Sequence, residues 1–158
     1  LASLSLLVKA QNMDVRNTAL RSFYEEWRTD ALVLDKWFTV QAVADVPEVL
    51  ANVKQLFKHP DFRITNPNRV RALVAAFAGA NPCYFHAQDG SSYRFVTDVI
   101  LQIDKINPQL SSRLATPFTR WQRFAKNYQD LMLAELNRMA GYNLSADLAK
   151  IVQKSLQC

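Results

Sequence analysis

The sequence predicts an all-α fold in which about nine helices stack as antiparallel helical hairpins. Apolar residues recur at intervals of three and four along almost all of the 158 residues, which is the period of an amphipathic helix. No two alternating apolar runs flank an Asn-Gly or Asp-Gly turn in the manner of a β-hairpin. The chain contains only 3 glycines and 6 prolines, so we expect long helices joined by short connections.

Apolar periodicity divides the first half of the chain into five predicted helices. The first three cover residues 1–12, 14–28 and 30–44. Asp45 is the predicted N-cap of the fourth helix, and Pro60 ends it because the residue before a proline disfavours helical geometry. Asn66 and Pro67 suit an N-cap and a first helical position, so a fifth helix begins there. Gly79 is the residue type that ends such a helix.

Helical periodicity resumes after a connecting loop over residues 80–90. The sixth helix begins at Ser91 or Ser92, and its apolar stripe extends to Ile106. A seventh helix follows, and Pro117 within it should kink or divide it because proline removes a helical hydrogen bond. The last two helices are expected over residues 127–139 and 146–156.

An Asn-Pro pair occurs twice as a predicted helix start, which suggests a structural repeat. Asn66-Pro67 and Asn107-Pro108 lie 41 residues apart, within the period of two-helix repeats of the HEAT and armadillo type. No linker or low-complexity segment divides the chain, so we predict a single helical domain over residues 1–158. Because the chain begins with Leu1 rather than Met, we expect it to be part of a longer protein.

The sequence offers no complete catalytic or metal site. His59 and His86 are its only histidines, and they do not have the helical spacing of a zinc motif. Cys83 and His86 are three residues apart and could form half of a metal site, but no second pair completes it. The alternative reading is a buried thiol beside a loop histidine. The isolated glycines exclude a glycine-rich phosphate loop, so we predict neither a metal ligand nor a catalytic residue here.

The basic charge of the chain leaves two readings open. A formal net charge of +5 at pH 7 fits an acidic partner or a mildly basic surface. Basic and aromatic residues interleave over residues 120–128, which suits either base stacking or a helix whose Trp121 and Phe124 face the core. The basic residues are otherwise scattered, so we expect no nucleic-acid partner. Two distant cysteines and no long apolar segment predict a cytoplasmic protein without a membrane partner.

Polar side chains near the starts of two predicted helices form the strongest candidate site. Gln109 and Arg113 are four residues apart in the seventh helix and therefore share a face. Arg69 and Arg71 flank the apolar stripe of the fifth helix. If the two helix starts are neighbours, these side chains converge with free backbone N–H groups on one polar spot. The alternative is that all four lie at the rim of an ordinary surface.

Five segments carry a recognisable pattern when they are taken in chain order. They are residues 34–42 (LDKWFTVQA), 66–73 (NPNRVRAL), 76–82 (AFAGANP), 85–93 (FHAQDGSSY), and Asn107-Pro108-Gln109 with Ser112-Arg113-Leu114. Together they resemble the C-terminal domain of bacterial aminopeptidase N, a family of zinc-dependent alanyl aminopeptidases. The resemblance covers essentially the whole chain and is strongest from Val33 to Pro117.

The resemblance implies a role without catalysis. In this family the zinc motif and the glutamate base lie in an earlier, separate domain, and zinc would therefore be a cofactor of that domain and not of this chain. The C-terminal domain is a helical superhelix that covers the catalytic domain and encloses the active-site cavity. The implied partners are the catalytic domain of the same polypeptide and the peptide substrate, from which N-terminal residues are removed.

The resemblance also implies roles for particular residues. Gln109 and Arg113 match the glutamine and arginine that line the pocket for the first side chain of the substrate, and Arg71 matches an arginine that points toward the cavity. This chain departs from the pattern at Cys83-Tyr84, where small residues are expected. Without the resemblance, a free-standing helical-repeat module that binds a protein or an RNA remains the alternative.

Overall fold

The secondary structure is helical throughout the described part of the chain. The computed structural model describes Leu4, Leu6, Val8 and residues 12–157. All regular elements within these residues are helices, so the all-α prediction is confirmed. The first predicted helix, over residues 1–12, lies almost wholly outside the described residues. Among the helices that are described, none is long and apolar enough to cross a membrane.

The described backbone forms two compact units, residues 1–84 and residues 85–158. The single domain over residues 1–158 therefore stays a prediction. The helices of the first unit are α1 (Met13–Trp27), α2 (Ala31–Ala42), α3 (Val49–Phe57), α4 (Pro67–Val70), a π-helical segment (Arg71–Ala75) and α5 (Ala76–Ala80).

Helix α2 lies at the centre of the first unit and packs against α1, α3 and the π-helical segment. Its predicted inward face, Leu34, Trp37 and Phe38, is buried. The indole N–H of Trp37 donates to the carbonyl of Leu20 on α1, with the two atoms 3.0 Å apart. The indole ring of Trp37 is thus buried with its only hydrogen-bond donor satisfied. This contact holds α1 against α2.

Two of the predicted helix boundaries in the first unit are wrong. Asp45 does not cap α3, because Pro47 and Glu48 first form a turn and the helix begins at Val49. Gly79 does not end its helix, because its backbone stays helical and α5 continues to Ala80. By contrast, the side chain of Asn66 accepts the N–H groups of two following residues, so the predicted start of α4 is confirmed.

A π-helical segment interrupts the predicted fifth helix. The N–H of Ala76 donates to the carbonyl of Arg71, five residues earlier, instead of the four of an α-helix. The segment therefore carries one extra residue per turn. Ala72, Leu73 and Val74 within it are buried against α2 and α3.

The second unit contains the remaining helices and carries the predicted polar pair. Its helices are α7 (Ser91–Asp104), α8 (Pro108–Leu114), a 3₁₀ helix (Thr116–Arg123), α9 (Lys126–Ala140) and α10 (Ala146–Leu156), preceded by the short α6 (Pro82–Phe85) at the boundary of the units. Pro117 lies where the α-helical geometry ends and the 3₁₀ helix begins, so the predicted division is confirmed. The predicted apolar stripe of α7 included Ile106, but the helix ends at Asp104. Ile106 lies beyond the helix and is 48% exposed.

Gly90 is needed at the start of α7. Its φ of 68° lies in the left-handed region that favours glycine. A Cβ atom at this position would also come within 3.0 Å of a methyl group of Leu131 on α9. Gly90 thus allows α7 to begin directly beside α9, and the two helices pack against each other.

Candidate functional site

Gln109 and Arg113 both project into solvent from α8, as their spacing predicts. The side chain of Asn107 accepts the N–H of Leu110 at 3.0 Å and caps the helix. Leu110 and Leu114 on the same helix are buried, which turns the polar pair outward. Within the described part of the chain, no carboxylate lies within ion-pairing distance of Arg113.

A buried carboxylate holds α8 in place. Asp104, the last residue of α7, accepts a hydrogen bond from the hydroxyl of Ser111 on α8 at 2.6 Å. It also accepts the N–H of Ser145 at 2.7 Å and the hydroxyl of Ser145 at 2.5 Å. Burial alone would raise the pKa of Asp104, but these hydrogen bonds outweigh burial and lower it. One ionised side chain therefore connects α7, α8 and the start of α10.

Arg71 is exposed at the first residue of the π-helical segment. Its Nη1 donates to the side-chain oxygen of Asn68, with the atoms 3.0 Å apart. Arg71 belongs to the first unit, whereas Gln109 and Arg113 belong to the second. The predicted convergence of the three side chains therefore stays a prediction.

Arg69 is not a rim residue, and this part of the expected polar set is wrong. It is buried, with Nη1 lying 2.8 Å from Oδ1 of Asp35 and the guanidinium 5.0 Å from the ring centre of Phe38. The N–H groups of Arg69 are not aligned for a hydrogen bond with Asp35, so the contact is an ion pair without a hydrogen bond. The positive charge of Arg69 is therefore paired within the first unit, with the carboxylate of Asp35 on α2. No spacing rule connects residues 35 and 69, so this pair could not be predicted from the sequence.

One prediction about Cys83 and His86, that the thiol of Cys83 is buried, is wrong. Cys83 is exposed and is not the buried thiol of the alternative reading. His86 is half-buried, and its Nδ1 lies 2.6 Å from the hydroxyl of Tyr93. Burial lowers the pKa of His86 and raises the pKa of Tyr93. Over the described ranges, no three residues among His, Cys, Asp and Glu are grouped as metal ligands.

In the basic and aromatic stretch over residues 120–128, the aromatic side chains pack against the protein, as one of the two alternatives predicted. Trp121 is half-buried, and its indole N–H donates to the carbonyl of Ser155 at 3.0 Å. Phe124 is half-buried and its ring lies 4.2 Å from that of His86. Arg120 and Arg123 are exposed. The aromatic rings are thus used for packing within the second unit.

Together the fold and the exposed polar pair define a helical-repeat domain without a recognisable catalytic centre among its described residues. Residues 1–157 match the family described as "Domain of unknown function (DUF3458_C) ARM repeats", and the chain belongs to this family. The ARM-repeat description agrees with the predicted stacking of helical hairpins.

Similar proteins of known sequence are aminopeptidases. The chain is 46% identical to aminopeptidase N of Caulobacter vibrioides over 142 residues, which is 89% of this chain and 16% of the relative. It is 41% identical to aminopeptidase N of Escherichia coli over 157 residues, 99% of this chain and 18% of the relative. The chain thus spans less than a fifth of the length of these relatives. The resemblance to bacterial aminopeptidase N is confirmed.

A solved structure agrees with this relationship. Legionella pneumophila aminopeptidase A, crystallised in complex with aspartic acid, superposes with a TM-score of 0.92 at 36% sequence identity. The match covers 98% of this chain and 18% of that chain. The chain therefore corresponds to one domain of an aminopeptidase N-like protein.

Proposed function

We propose that this chain is the non-catalytic C-terminal domain of a cytoplasmic zinc aminopeptidase, where it encloses the active-site cavity and contributes to substrate selection. The observation that carries the proposal is the match of 98% of the chain to 18% of a solved aminopeptidase chain. The partners in this proposal are the catalytic domain of the same polypeptide and a peptide substrate. Zinc, bound in the catalytic domain, supplies the hydrolytic chemistry.

In this proposal Gln109 and Arg113 line the pocket for the first side chain of the substrate. Both are exposed on one face of α8, and Arg113 has no described acidic partner that would consume its charge. A guanidinium offers five donors in a planar fork, and the amide of Gln109 offers a donor and an acceptor. Arg71, exposed in the first unit, is the third proposed contributor.

The proposed contacts act in a space that a helical cover shields from water. Removing water strengthens each polar contact, because the effective dielectric constant falls. The anchoring of α8 by Asp104 fits this role, since a polar contact discriminates between substrates only if its group is held in place. A cover also restricts entry to short or unfolded peptides with a free amine.

Replacing Arg113 by Ala in the full-length enzyme tests the proposed role. We expect the kcat/KM ratios among substrates with different N-terminal side chains to change by about 5- to 30-fold, as loss of a polar contact worth roughly 1–2 kcal/mol would produce. Aminoacyl arylamides that differ only in the N-terminal residue provide the measurement.

Arg120→Ala is the matched control for this experiment. Arg120 is an exposed arginine of the same unit, on the neighbouring 3₁₀ helix. Its loss should leave the ratios unchanged. Identical selectivity in wild-type enzyme and the Arg113→Ala variant would refute the pocket role of Arg113.

A further inference from the structure

A cavity of about 220 Å³, lined by both apolar and polar side chains, lies within the first unit. Helices α1, α2 and α3 contribute to its wall, together with the connections that follow α2 and α3. Its apolar lining residues are buried core residues, whereas its polar side chains are one arginine, four amides and one histidine. These are Arg16, Asn17, Gln41, Asn52, Gln55 and His59. None of these described lining residues is a carboxylate.

Arg16 is the charged group of this cavity. It is only 5% exposed, although it lies in the first two turns of α1. None of the described carboxylates lies within ion-pairing distance of it. The residues before position 12 include no Asp or Glu in the sequence and so bring no acidic side chain. A buried charge without a counter-charge is destabilising, so an anion in the cavity would be favoured.

His59 adds a donor to the cavity and not a second charge. Its Nδ1 accepts the backbone N–H of Asp61 at 3.2 Å, so the neutral ring carries its hydrogen on Nε2. Burial is the main cause that lowers the pKa of His59, and it outweighs the opposing effect of the Asp61 carboxylate. The cavity therefore combines one guanidinium with neutral donors.

We propose that this cavity binds a small oxyanion of the carboxylate or phosphate class, with Arg16 as its principal ligand. The planar fork of a guanidinium matches two oxygens of either group. The amides of the lining and Nε2 of His59 supply further N–H donors for the remaining oxygens. The volume of about 220 Å³ is several times the roughly 30 Å³ that one water molecule takes, so a small anion fits with its remaining waters.

Anion-dependent stability tests the proposal. Sodium phosphate or sodium acetate would be added to the purified chain at constant ionic strength, with sodium chloride making up the difference, while the unfolding temperature is recorded. We expect a saturable rise, because a ligand that binds only the folded state stabilises it. Arg16→Gln should abolish this rise, whereas Arg21→Gln should preserve it, since Arg21 is an exposed arginine of the same helix.

Two further readouts separate a binding site from a merely structural arginine. Without added anion, Arg16→Gln should be at least as stable as the wild type, because the uncompensated buried charge is gone. In the wild type, the Nε–H resonance of Arg16 should shift in proportion to phosphate occupancy, which requires no variant. An unfolding temperature that responds equally in wild type and Arg16→Gln would overturn the proposal, as would an Arg16 resonance that does not move.

The source of the oxyanion is distinguished in the full-length aminopeptidase that carries this chain. A phosphate or acetate response that also depends on Arg16 in the longer protein supports a free solute. If only the isolated chain responds, a carboxylate of the same polypeptide occupies the cavity, and the free-ligand proposal is overturned. Neither result depends on peptidase activity, so this test is separate from that of the pocket role.

Discussion

Asp104 shows how much of the architecture of the second unit depends on one side chain. It lies next to the buried Ile103 in the sequence, and nothing in that pattern separates it from a solvated acid at the end of a helix. In the structure it is buried and accepts three hydrogen bonds from Ser111 and Ser145. The burial of Arg16 and Arg69 was not predicted for the same reason, since helix periodicity places a residue on a face but does not say what covers it in the fold.

Asp104→Asn should destabilise the chain by about 2–4 kcal/mol at pH 7, because an amide brings its own N–H donors among the donors of the two serines. Urea denaturation at pH 7 provides the measurement. Asp147→Asn, an exposed acid in the first turn of α10, is the control and should change the free energy of unfolding much less. Equal effects of the two substitutions would contradict the bridging role of Asp104.

The stability difference between the wild type and Asp104→Asn should depend on pH. The pKa of Asp104 is lower in the folded state than in the unfolded chain, where an aspartate titrates near about 3.9. Its contribution is therefore complete above that unfolded value and is lost as the pH falls through the lower folded value. The stability difference between wild type and Asp104→Asn should accordingly shrink below about pH 4.

Local sequence signals predicted some helix boundaries correctly and others wrongly. The starts at Asn66 and Asn107 are confirmed, because an N-cap side chain bonds its own neighbouring backbone and the signal is local. The cap expected at Asp45 was wrong, since a turn over Pro47 and Glu48 precedes the helix. The expected stop at Gly79 was wrong, since its backbone stays helical and α5 continues to Ala80. The π-helical segment was not predicted from the sequence, and its buried residues pack against α2 and α3.

Thr39 connects α2 to the π-helical segment. Its hydroxyl lies 3.0 Å from the carbonyl of Asp35 and 3.0 Å from the carbonyl of Ala72, to which it can donate. Thr39→Val keeps the side-chain shape but removes this donor, so we expect a loss of about 1 kcal/mol in the free energy of unfolding. Thr39→Ser restores the hydroxyl and should recover most of that loss in the same denaturation experiment. A valine variant as stable as the wild type would show that the hydroxyl contributes nothing there.

The sequence indicated the fold class of this chain and the family of proteins to which it is related. The fold class and the aminopeptidase relationship were both predicted and are confirmed. The alignment of Gln109 with Arg113 followed from helical spacing, whereas the position of Arg71 relative to them depends on how residues 1–84 and 85–158 are arranged. That arrangement is a tertiary property that no local pattern encodes.

The chain by itself should not hydrolyse aminoacyl arylamides, even with zinc added. Its only histidines, His59 and His86, lack the spacing of a zinc motif, and the chain spans only 16–18% of its aminopeptidase relatives. We expect activity only when the remaining portion of the aminopeptidase is added, with the selectivity of the mixture sensitive to Arg113→Ala. The measurement is the arylamide release rate for chain, remainder and mixture at equal concentrations. Chelator-sensitive activity that copurifies with the chain alone would show instead that it carries a catalytic site of its own.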